Sequence, residues 1–121
     1  MRGALYATAV LNALGAATFL PASDGLRAIG GLPADAHPLY LATLSSILLL
    51  FGVAYLWSAV TGRADRQFLA VAAAGKLLFF GVLAGYALAG AVPPSVALSG
   101  APDLVLGLAF AGFLASTRVR A

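Results

Sequence analysis

Apolar and polar positions in this chain are sorted into blocks. Four long apolar runs, at about residues 3–20, 39–61, 67–91 and 95–117, are separated by short clusters holding most of the charges, prolines and paired glycines. The runs do not alternate apolar with polar residues as barrel strands must, so each is read as a helix. At about 18 to 25 residues, they are long enough to cross a bilayer core roughly 30 Å thick. The pattern predicts an all-α integral membrane protein: one transmembrane domain over 1–121, folded as a four-helix bundle running up-down-up-down.

The connections refine this picture. Residues 21–38 form the longest loop. Ser23 or Asp24 is placed to cap a short turn whose Leu26, Ile29 and Leu32 face the membrane surface, and Gly30-Gly31 and Pro33 end it. The connection Gly62-Arg63-Ala64-Asp65-Arg66 is so short that the second and third spans are expected to be antiparallel neighbours. Asp65 suits the N-cap of the third span. Gly100-Ala101-Pro102-Asp103 breaks the fourth run. The part beginning at Asp103 is only about 15 residues, so residues 95–102 are expected at membrane depth too, as a broken helix or shallow turn. Such backbone is tolerated where protein covers it or a wet cavity lies beside it. The opening, Arg2 before an apolar run, also has the outline of a signal peptide; we read it as a retained first span.

Composition agrees. The chain is 62% hydrophobic and 9% charged, against about 25% charged in soluble domains, and cannot cover a water-facing surface. Its net charge of +3 is divided among helix ends, which excludes a nucleic-acid patch. Arg2, Arg63, Arg66, Arg118 and Arg120 fall on one side, and Arg27, Asp24, Asp35 and Asp103 on the other. The positive-inside rule then places both termini in the cytoplasm. Tyr6, Tyr40 and Trp57 mark the interfaces.

Candidate chemistry is sparse. There is no Cys and no Glu, and His37 is the single histidine. The chain alone therefore offers no thiol chemistry, no two-carboxylate catalysis and no zinc or haem ligand set. No nucleophile–base pair can be named, so no catalytic residue, metal or cofactor is expected. His37 is read as an interfacial hydrogen-bonding residue. Ser45, Ser46 and Ser58 are read as bonding back to their own helix carbonyls.

Lys76 is the exception in the third run. It lies about ten residues past Arg66, roughly 15 Å deep, where a lysine costs about 2.5–3.5 kcal/mol. Counting from the nearest charges puts Asn12 and Tyr55 at the same level and Asp103 about one and a half turns above. A lysine side chain reaches roughly 6 Å, so modest tilt would pair Lys76 with Asp103. This layer is read either as a ligand-binding site or proton-linked pathway, formed by Asn12, Tyr55, Lys76 and Asp103, or as a structural lock between helix faces. A further reading has Lys76 snorkel toward the cytoplasmic surface. Gly81 and Gly85, a G-x-x-x-G pair, together with Gly107 and Gly112, are the candidate helix-packing positions.

The blocks His37-Pro38-Leu39-Tyr40-Leu41, Leu50-Phe51-Gly52-Val53-Ala54-Tyr55-Leu56-Trp57, Gly75-Lys76-Leu77-Leu78-Phe79-Phe80 and Asp103-Leu104-Val105 resemble small four-helix proteins of the bacterial inner membrane. The buried Gly75-Lys76-Leu77 and the length also resemble the DoxX-like group. That resemblance implies an accessory subunit of a membrane redox or sulfur-linked complex; the lack of Cys removes any thiol-based version.

The expected function is thus non-enzymatic: an accessory subunit, or a binder of a small apolar molecule at the midplane polar layer. Its partners would be the lipid bilayer, another membrane protein or a second copy, and a small apolar ligand, with no nucleic acid. The alternatives are a small homodimeric transporter or channel, then a membrane enzyme acting on a lipid or quinone-like substrate. Drug exporters of this size commonly use a buried carboxylate, whereas the deepest charge here is a cation.

Overall fold

The computed structural model describes residues 1–33 and 36–117, so the expectations for Asp35, Arg118 and Arg120 lie outside the described residues. It contains α1 (Arg2–Thr18), α2 (Asp24–Ile29), α3 (Pro38–Thr61), α4 (Arg66–Leu88), α5 (Pro94–Ser99) and α6 (Ala101–Ser116). Three stretches are long and apolar enough to cross a membrane: Pro38–Thr61, Arg66–Leu88 and Pro94–Ser116, which joins α5 to α6. α1 has 17 residues and is shorter than these.

Local chemistry sets the helix ends. His37 caps α3, its Nδ1 accepting from the Leu39 N–H at 3.1 Å, with Pro38 in the first turn, where a missing N–H costs nothing. α3 stops at Gly62, whose φ of 68° is a left-handed conformation suited to glycine. Asp65 caps α4 by accepting from the Gln67 N–H at 3.4 Å. The expected break in the last run falls at Gly100, between α5 and α6. A Cβ there would lie 2.8 Å from the Leu83 Cδ1 methyl and 3.3 Å from the Phe80 ring, so a larger residue would make these side chains of α4 shift.

The helices pack as two antiparallel pairs. Arg2 Nε donates to the Ala59 carbonyl at 2.8 Å, Asn12 Nδ2 to the Leu48 carbonyl at 3.2 Å, and Ser45 Oγ to the Ala16 carbonyl at 2.7 Å, which aligns α1 against α3. Arg66 to Leu114 and Lys76 to Asp103 align α4 against α6. The pairs meet in a core of Leu5, Tyr55, Ala59, Leu69, Ala72, Ala73 and Phe110, near the end that holds Arg2, Gly62 and Arg66.

One expectation is narrowed here and one corrected. α3 and α4, joined by the short connection, make no close backbone approach among the described residues; α3 packs on α1, and α4 on α5 and α6. Small residues decide this. Gly52 of α3 faces Asn12 of α1, and Gly107 of α6 faces Leu77 and Lys76 of α4, whereas α3 and α4 meet through the rings of Tyr55 and Phe68, 5.4 Å apart. Ser46 bonds back within its helix to Ala42 as expected, but Ser45 crosses to α1 because it lies on the buried face.

Three arginines close helix C-termini. The last carbonyls of a helix have no partner within it and carry partial negative charge. Arg2 bonds Ala59 in α3, Arg66 bonds Leu114 and Thr117 at the end of α6, and Arg27 bonds the carbonyls of Thr18, Leu20 and Pro21 where α1 ends. Arg27 is 3% exposed. Its burial draws α2 over the bundle, and Ser95 of α5 donates to the Gly30 carbonyl at 3.3 Å, fastening α2 to the other helix pair.

Outside these contacts the surface is apolar. Val10, Leu50, Val60, Leu78 and Leu98 are all more than half exposed. Water would penalise this and lipid does not, so the outward faces are the lipid contact.

Candidate functional site

The two helix pairs are tight at the core and separate beyond it. Between them lies a cavity of about 460 Å³. α1 contributes Asn12 and Thr18, α3 Phe51 and Tyr55, α4 Gly75 and Lys76, and the α5–α6 segment Ser99 and Asp103. Leu26 of α2 and Leu32 also line it, so these two cover a cavity as well as lying on the expected surface segment. Most of the wall is apolar.

All four residues expected in the polar layer line this one cavity. Lys76 Nζ and Asp103 Oδ1 are 2.9 Å apart, with the side chains 5% and 14% exposed. Asp103 sits in the first turn of α6, where the helix dipole also favours an anion. Lys76 Nζ lies 5.6 Å from the Tyr55 ring centroid, within cation–π range. Lys76 is thus turned to a carboxylate and a ring inside the bundle instead of snorkelling along its own helix. Asn12 is 8% exposed and spends one amide hydrogen on Leu48.

Tyr55 forms the floor. Its ring stacks on Phe110 at 6.2 Å and contacts Phe68 and Phe51, so the core beneath the cavity is closed by aromatic rings from α3, α4 and α6. The flank is not closed. Leu14, Leu26 and Val71 line the cavity and are each more than half exposed. Val71 is only five residues, about 8 Å, past Arg66, so this opening begins within the span.

The four glycines are separated by the fold. A Cβ on Gly107 would meet Leu77 at 3.0 Å and Lys76 Cβ at 3.3 Å, so Gly107 seats α6 against α4 beside the ion pair. A Cβ added at Gly81, Gly85 or Gly112 would meet nothing within 4 Å, so these three face away from the chain's own helices. His37 is exposed and acts as the α3 cap. Among the described residues, no three His, Asp or Glu side chains gather as a metal-binding group. Two residues of the site escape a reading of the sequence: Gly75, which leaves open space in the wall next to Lys76, and Arg27, which holds α2 over the cavity. The only signal for Gly75 is its place in the Gly-Lys-Leu block.

Fold and surface define a multi-pass membrane protein with a partly enclosed, aromatic-floored cavity that carries an ion pair on its wall. No protein-family model, no curated protein and no solved structure matches the chain.

Proposed function

We propose that the chain is a four-helix, up-down-up-down bundle of the bacterial inner membrane, with both termini cytoplasmic, that binds a small apolar molecule in the cavity between its helix pairs. The observation that carries this is the convergence of Asn12, Tyr55, Lys76 and Asp103 on one largely apolar cavity of about 460 Å³. That size lies within the roughly 300–1,000 Å³ of small-molecule sites, which likewise combine apolar walls with a few polar groups. A purely structural ion pair has no need of a void beside it; well-packed apolar residues of similar volume serve as well or better. The grouping of Arg2, Arg63 and Arg66 at one end supports the orientation.

The closed aromatic floor favours a binder over a transporter or channel, because the rings block the way from the cavity through the core. The lining residues also lack a nucleophile–base pair that would favour an enzyme: Lys76 is committed to Asp103, and Ser99 donates to its own helix at Val96. The accessory-subunit form of the proposal draws on Gly81 and Gly85, which leave room for another helix on α4, and on the resemblance to DoxX-like proteins.

The test is native mass spectrometry of protein gently extracted from its own membrane. A discrete bound mass is expected on the native chain and absent from Gly75→Phe. Gly75 lines the cavity and a Cβ there would meet nothing within 4 Å, so the ring starts from open space beside Lys76. A bound mass that survives Gly75→Phe would place the ligand elsewhere, and a native chain without one would remove the support.

A further inference from the structure

We infer that the cavity takes an uncharged, lipid-phase molecule with a hydrogen-bond-accepting head of the carbonyl type, admitted sideways from the bilayer. This rests on the cavity being a ligand site and adds the chemistry of the ligand and its route.

Charge sets the first limit. Lys76 and Asp103 are the charged side chains on the cavity wall, and they neutralise each other at 2.9 Å. An anionic head would compete with Asp103 for the ammonium and leave a carboxylate, 14% exposed, without its counter-ion. A cationic head would do the same to Lys76. Either exchange leaves one charge unpaired in a poorly solvated site, which costs more than the exchange gains. A neutral head leaves the pair intact.

Hydrogen-bond capacity sets the second. A lysine ammonium has three N–H donors, and Asp103 uses one. The Tyr55 hydroxyl makes no hydrogen bond among the described residues, and Asn12 has a second amide hydrogen beyond the one given to Leu48. Thr18 and Ser99 spend their hydroxyl protons on Leu14 and Val96. Unspent donors therefore remain on Lys76, Tyr55 and Asn12 beside unspent acceptor oxygens on Asp103 and Asn12; the strongest of the donors is the ammonium, and a carbonyl oxygen is a neutral group that accepts from it without displacing Asp103.

The remaining wall is hydrocarbon and sets the third limit. Leu11, Leu48, Phe79 and Leu83 surround the polar layer with apolar surface. The mouth, flanked by Leu14 and Val71, opens on the lipid-facing side at a depth within the span. A ligand arriving there has already partitioned into the membrane. α2, held by Arg27, lines through Leu26 the end where a water-borne molecule would enter and narrows that route.

The experiment uses the full chain in lipid nanodiscs and four probes of one chain length: a long-chain methyl ketone, the alkane, the alkanesulfonate and the alkyltrimethylammonium. Equilibrium retention is measured for each, with the infrared carbonyl stretch of the bound ketone as a second readout. The ketone is expected to be retained at least about tenfold more than the alkane, the scale of one hydrogen bond to a charged donor, and more than either ion. Its carbonyl stretch is expected to fall on binding. In Lys76→Met/Asp103→Leu the ketone preference is expected to vanish while the alkane is still retained. Tyr55→Phe, which keeps the ring stack, is expected to lose only part of the preference and carries the test if the double variant does not fold. Equal retention of ketone and alkane, or stronger retention of either ion, would overturn the inference while leaving the cavity a ligand site. Failure of all four to bind would overturn both.

Discussion

A lysine about 15 Å inside a membrane span must either reach water or find an anion. Lys76 finds Asp103 at 2.9 Å and lies near the face of Tyr55. Removing one member of a buried pair strands the other. Lys76→Leu is therefore expected to destabilise the fold by about 3–5 kcal/mol, and Lys76→Leu/Asp103→Leu by much less. Reversible unfolding in mixed micelles would measure this; equal losses in the two variants would show that the pair is not the source. The members of this layer are legible in the sequence because depth along a helix is a matter of counting at about 1.5 Å per residue. Counting leaves Asp103 above Lys76 and cannot say whether they touch, since side-chain reach and helix tilt close that distance.

At the scale of the helix, the arginines have a role that charge placement alone does not reveal. By charge placement Arg27 is one cation on the outer side; in the fold its guanidinium is buried on three carbonyls where α1 ends. Arg27→Met is expected to cost about 2–3 kcal/mol and to speed hydrogen exchange in α2 and the last turn of α1. Arg27→Lys should recover only part, because an ammonium lacks the planar fork that spans several oxygens. Unchanged exchange in Arg27→Met would deny the arginine this role. Helix positions are legible from apolar runs and from Pro38, Gly62, Asp65 and Gly100. Which helices pair is not. The short connection suggests α3 with α4, but Gly52 and Gly107 allow closer approach elsewhere, and aromatic rings hold α3 and α4 apart.

At the scale of the molecule, the fold is two helix pairs joined through a core near one end, and the cavity follows from their separation beyond it. A void belongs to no single run of sequence, so residue patterns give its polar members but not its shape. The ion pair lies within one helix pair, across α4 and α6, and this bears on biogenesis. If α4 left the insertion machinery alone, its ammonium would enter hydrocarbon without a counter-ion, at about 2.5–3.5 kcal/mol, and α6 would meet a similar cost with its carboxylate. Released together, they present a neutral pair. A nascent chain ending just after Leu88 should therefore integrate its last segment less efficiently than one extended through Ser116, as measured by glycosylation-site mapping in microsomes, and Lys76→Leu should abolish the difference. In that order of events the second hairpin, rather than the single helix, is the unit that the membrane receives.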